Sequence, residues 1–157
     1  MTGEAGSAAT GDIPDNQVFL VFRDGAAGYS MKYPEGWAQT GAGRAVTFRD
    51  KNNIVRILIA AGTHPTTASV AAQLRKLTGA HVSAPPRSMT IGSAPAVKVV
   101  YTTESARNPV TGKRVTLTVD RYYLARGGKE AIVDLGTPVG VDNVDAYRLM
   151  IESFRWR

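Results

Sequence analysis

Apolar residues recur along this chain at two spacings, and turn-forming residues separate the stretches. Over 18–22 the apolar residues are continuous, as in a strand buried on both sides or the first arm of a hairpin. Asp24, Gly25 and Gly28 then favour a turn. Tyr29, Met31 and Tyr33 alternate with Ser30 and Lys32, so a period of two predicts a strand with one face toward a core. Pro34, Glu35 and Gly36 end that ladder, and Trp37 re-enters the core just after the turn. Strands are also predicted over 45–48 and 54–59, separated by Asp50, Lys51, Asn52 and Asn53, which makes an antiparallel meander.

The period changes after Pro65. Thr66 or Thr67 can cap a helix on which Val70, Leu74 and Leu77 share a face, with Arg75 and Lys76 at its negative end and Gly79 as its stop. Strands resume over 87–91, 95–102, 115–124 and 130–135, with turn residues at Gly92, at 108–112 and at Gly127–Gly128. Asp142 can cap a second helix carrying Val144, Tyr147, Ile151 and Phe154 on one side, so the C-terminal segment should dock on the sheet, with Trp156 extending the contact. Residues 1–12 are mainly Thr, Gly, Ala and Ser, too polar and small to offset their ordering entropy, and read as a flexible leader or an expression remnant. The expectation is one domain over 13–157, of the α+β class, with a central, mainly antiparallel sheet covered by helices.

The run from Gly28 to Trp37, with its aromatic strand, Tyr33-Pro34 and nearby Trp37, resembles the PsbP-like superfamily. That superfamily includes the extrinsic PsbP subunit of photosystem II, related bacterial lipoproteins and nuclear-import Ran-binding proteins. Supporting matches follow in the same order: Phe48 with Asp50, the strand around Val55, 121–124, Gly128 with Lys129, and Ser153 with Phe154. The resemblance covers most of 17–156 and implies an α/β/α sandwich. It implies an accessory role only in outline, because members of one fold serve unrelated partners. Photosynthetic members are associated with calcium and chloride retention, but no distinctive ligand set carries over to this sequence, and no cofactor is expected.

Composition changes this picture little. A length of 157 residues suits one core, and 43% hydrophobic against 20% charged residues places the chain with packed domains. The absence of cysteine excludes disulfides, cysteine-held metals and thiol nucleophiles. No run of roughly 18 apolar residues could span a bilayer as a helix. A net charge of +6 favours acidic partners, yet the basic residues are scattered, and a polyanion footprint needs clustering. Lys98, Arg114, Arg121 and Arg126 could line a basic sheet surface, although strand alternation can place some of them on opposite faces.

Candidate chemistry is sparse. His64 and His81 are the sole histidines, and nothing in the spacing joins either to a nucleophile. Gly28-Tyr29-Ser30-Met31-Lys32 has Lys32 where a nucleophile elbow needs its second glycine. Thr111-Gly112-Lys113 lacks the upstream glycine of a phosphate-cradling loop and fits a hairpin turn. Asp142 and Asp145 are accounted for by helix capping and the helix dipole rather than by a metal. The aromatic residues sit at core periodicity.

Three readings of function follow. The first is a non-enzymatic, extracytoplasmic accessory or binding module that supports a membrane-associated protein complex, membrane-tethered in its full-length form. The second is a nucleic-acid or polyanion-binding module, and the third, ranked last, is a hydrolase. The partner's identity and the oligomeric state are not written in the sequence.

Overall fold

The computed structural model describes residues 11–157. The elements run β1 (Phe19–Asp24), β2 (Tyr29–Pro34), β3 (Ala38–Ala42), β4 (Ala45–Asp50), β5 (Asn53–Ala61), α1 (Thr67–Arg75), β6 (His81–Ile91), β7 (Ala94–Glu104), β8 (Thr116–Arg126), β9 (Lys129–Pro138), α2 (Val144–Glu152) and β10 (Arg155–Trp156). Seven strands form one sheet in the order β3-β4-β5-β9-β8-β7-β6, while β1, β2 and β10 form a small second sheet. Every pairing in both sheets is antiparallel. The large sheet is thus two meanders joined where β5 meets β9.

Alternation along the strands gives the large sheet two apolar faces. Val55, Ile57 and Ile59 of β5, Ala131, Val133 and Leu135 of β9, and Tyr122 and Leu124 of β8 belong to one core. Tyr29 and Met31 from the small sheet and Tyr147, Met150, Ile151 and Phe154 from the α2 region close that core from the other side. Val97, Val99, Tyr101, Leu117, Val119 and Tyr123 point the opposite way and pack under Val70 and Leu74 of α1. Each large side chain fully withdrawn from water contributes about 1.5–3 kcal/mol, so both layers are anchored by their buried faces. The outcome is the expected α+β sandwich. The aromatic residues behave as core: Tyr33 stacks on Phe48 at 4.4 Å, Tyr29 on Phe154 at 5.8 Å, and Trp156 meets Phe154 edge-on at 5.2 Å.

The first helix starts where the sequence predicts. Thr66 Oγ1 accepts from Ser69 N at 3.0 Å, and Ser69 Oγ accepts from Thr66 N at 2.9 Å, a reciprocal cap. The helix ends at Arg75, so Leu77 packs against the second core from the turn that follows. In the second helix the cap residue is Asn143, one position later than expected, while Asp142 Oδ1 accepts from Val144 N at 3.0 Å. Val144 is 61% exposed and stands off the buried face that the periodicity assigned to it.

Other departures come from edges. β1 is an edge strand of a hairpin and leaves Leu20 and Val21 exposed, so its continuous apolar run does not mean burial on both faces. β3 has no apolar alternation and is exposed throughout, being held by its pairing with β4. β6 begins at His81 and runs through Pro85 and Pro86, which an edge strand tolerates with register shifts at Val82/Ala84 and Ala84/Arg87. Ser30, expected on a solvated face, is buried and accepts from Arg157 Nε at 2.9 Å. The leader expected over 1–12 lies outside the described residues for 1–10. Gly11 and Asp12 are held in place, Gly11 O accepting from Asn53 Nδ2 and Asp12 Oδ1 from Asp142 N at 3.2 Å.

Candidate functional site

The four basic residues singled out in the sequence do not meet. Register pairs Lys98 with Tyr122 and Val99 with Arg121, so Lys98 and Arg121 occupy opposite faces of the large sheet. The Lys98 ammonium lies 5.4 Å from the Tyr122 ring centroid. Burial raises the carboxyl pKa of Asp120, and the Lys98 charge partly opposes that rise. Arg114 is exposed in the connection between β7 and β8, at the end of β8 away from Arg126. Arg126 is exposed at the last position of β8.

Arg121 is 7% exposed and paired. Its Nε donates to Asp134 Oδ1 at 2.6 Å and its Nη2 to Asp134 Oδ2 at 2.9 Å. Arg56 Nη2 reaches the same Oδ2 at 3.0 Å from a half-exposed position. Tyr101 and Tyr123 flank the guanidinium, with ring centroids 5.4 and 5.9 Å away. Burial alone would lower the Arg121 pKa, but the hydrogen bonds and charge of Asp134 outweigh it and raise the value. Tyr101 is pushed up to about 12 by burial, with Asp134 adding to the effect. The cluster is satisfied internally and organises the sheet; Arg121 has little surface to offer a partner.

Two recesses flank α2, and sequence spacing pointed to neither. The larger, about 550 Å³, is lined by residues of the segment entering β1 and by the first half of α2. Asp12 and Asp15 line it from the entering segment, Asp142 from just before the cap of α2 and Asp145 from its first turn, with Ile13, Phe19, Ala146 and Leu149 between them. Asn143 ties the walls together: its Oδ1 accepts from Ile13 N at 2.8 Å and its Nδ2 donates to Asn53 Oδ1 at 3.0 Å. Both ion pairs among the described residues converge on Asp134, so the four carboxylates of this groove carry none. Ile13, Pro14 and Phe19 on one wall and exposed Leu149 on the other give the groove apolar character.

The smaller recess, about 340 Å³, lies where the β6–β7 turn meets β10 and the end of β8. Arg126 and Arg155 line it together with Leu124, Phe154 and Trp156. Lys129 is close in sequence to Arg126 and donates to Ala27 O at 3.0 Å, and Arg157 follows Trp156, so this end of the sheet is basic. The described residues contain no group of three or more His, Asp or Glu that could hold a metal ion. His64 and His81 are both exposed, before α1 and at the start of β6. No helix among the described residues is long and apolar enough to cross a membrane.

No protein-family model and no curated protein sequence matches this chain. Solved structures do. A cyanobacterial PsbP from Synechocystis sp. PCC 6803 superposes with a TM-score of 0.60 at 15% identity, over 95% of this chain and 99% of that one. A protein from Bacteroides thetaiotaomicron VPI-5482 gives a TM-score of 0.56 at 16% identity, over 87% of this chain but 48% of that chain. LpqN of Mycobacterium tuberculosis, described as involved in cell envelope biogenesis, gives 0.50 at 15% identity, over 89% of this chain and 91% of its own. With identities this low the likeness concerns the backbone, and it agrees with the aromatic strand, Tyr33-Pro34 and Trp37: the chain has a PsbP-like fold.

Proposed function

We propose that this chain is a non-catalytic, extracytoplasmic binding module that docks a membrane-associated protein through the groove between α2 and the segment entering β1. The observation that carries the reading is the groove's chemistry, four carboxylates without ion pairs among the described residues beside apolar Ile13, Phe19 and Leu149. Such a surface attracts a cationic, partly apolar protein segment, the apolar contacts giving affinity and the charges orientation. The family resemblance and the envelope role stated for LpqN support an accessory function and an extracytoplasmic location. The test is site-specific photo-cross-linking on source membranes, with the probe at Leu149 and a control probe at Val110 on the exposed β7–β8 connection. A discrete adduct at Leu149 that disappears in an Asp142→Lys/Asp145→Lys variant is the expected result. Equal adducts at both positions would reject the groove.

Polyanion binding is the second reading, favoured by Arg126, Lys129, Arg155 and Arg157 at one end of the molecule. The larger recess argues against it, because its carboxylates repel phosphate. Titration with DNA, RNA and an anionic polymer separates the two. Affinity that falls steeply with salt would support the polyanion, and absence of binding at low salt removes it.

A further inference from the structure

The smaller recess carries an inference of its own. Its walls are apolar, and Leu124 and Phe154 stand at its base as core residues. Two guanidinium groups line it. Arg155 Nη1 donates to the carbonyls of Glu152 and Phe154, each at 2.7 Å, which fixes the group and leaves Nε and Nη2 without a protein acceptor among the described residues. The Arg126 side chain makes no hydrogen bond or ion pair among the described residues. Trp156, which also lines the cleft, carries the one buried side-chain polar atom among the described residues that lacks a partner, its indole N–H.

We propose that this cleft binds a small amphipathic anion, a single carboxylate or phosphate head on an apolar body. The head meets the free edges of Arg126 and Arg155, where charge-assisted hydrogen bonds to planar guanidinium groups are strongest. The body lies against Trp156 and the apolar wall. A volume of about 340 Å³ holds such a molecule but not a folded partner. The acidic groove at the other end of α2 offers none of these donors, so this site stands apart from the docking surface proposed above.

The chain's two tryptophans make the test direct, because each gives one indole N–H resonance and a Trp156→Phe variant assigns them. Decanoate and decyl phosphate, each below its micellar concentration, are titrated alongside acetate, inorganic phosphate and decyltrimethylammonium. Saturable movement of the Trp156 resonance by either anionic amphipath, with Trp37 unmoved, is expected, and the tighter of the two identifies the head group. Arg126→Gln, at an exposed position without partners, should weaken binding several-fold. Ala94→Phe should abolish it by filling the cleft with no change of charge. The proposal is overturned if neither amphipath saturates, if inorganic phosphate or the cationic amphipath binds as tightly, or if both variants bind as the parent does.

Discussion

Replacing Asp134 with Asn separates the buried ion pair from its exposed appendage. The substitution keeps the side chain's shape and removes its charge, leaving the Arg121 guanidinium without a counter-charge, with a single amide oxygen in place of two carboxylate oxygens and Tyr123 Oη at 3.3 Å as its side-chain acceptors. The side chains of Arg121 and Asp134 are 9% and 7% exposed, so water cannot replace the lost carboxylate, and stranding one member of such a pair costs about 3–5 kcal/mol. Arg56 has 41% of its side chain exposed, and Arg56→Ala should cost no more than about 1 kcal/mol. At roughly 2–4 °C per kcal/mol for a domain of this size, Asp134→Asn should lower Tm by about 6–20 °C. Differential scanning calorimetry with parallel urea titration measures both variants. The double variant Arg121→Met/Asp134→Leu should recover most of the loss, since an apolar pair of similar volume carries no desolvation penalty. A loss below about 1 kcal/mol for Asp134→Asn, or an equal loss for Arg56→Ala, would refute this account of the cluster.

Burial raises the pKa of Glu130, so the folded state holds its proton more tightly than the unfolded chain. Stability should therefore fall as pH rises from the unfolded value of about 4.3 through the raised folded value; Glu130→Gln should exceed the parent in Tm at pH 7 and match it below about pH 4, and parallel profiles would contradict the burial argument. Gly41 has φ +77°, and a Cβ there would lie 2.4 Å from Ala45 O in the facing strand, so Gly41→Ala should cost about 1–3 kcal/mol by urea denaturation with an unchanged m-value. Thr66→Ala removes the side-chain oxygen of the α1 cap and should cost about 1 kcal/mol, seen as faster hydrogen exchange in the first turn of that helix.

Strands with a regular apolar period and helices with a cap were legible in the sequence, as β2, β5 and α1 illustrate. β3 was not, because Ala38-Gln39-Thr40-Gly41-Ala42 has no buried face and forms through closure of its hairpin with β4. Parity along a single strand could not place Lys98 relative to Arg121, since that depends on the register between β7 and β8. Of the acidic groove, the sequence singled out Asp142 and Asp145, and only as helix-capping residues, while Asp12 fell within the expected leader and Asp15 drew no notice. Their meeting required a contact across 130 positions, which no local signal contains. The basic cleft escaped notice for the same reason, its two arginines coming from β8 and β10.

β10 contributes only Arg155 and Trp156, yet it pairs with β2 near the beginning of the described chain. The hydrogen bond from Arg157 to Ser30 closes a loop of 127 positions, for which the length-dependent part of the closure entropy is about 4 kcal/mol. The small sheet gains its third strand only after residue 156 has left the ribosome, while synthesis proceeds at about 5–20 residues per second. The hairpin whose second strand ends in Tyr33-Pro34 therefore waits for its last neighbour while the chain between β2 and β10 is made, and the small sheet remains incompletely closed throughout that interval.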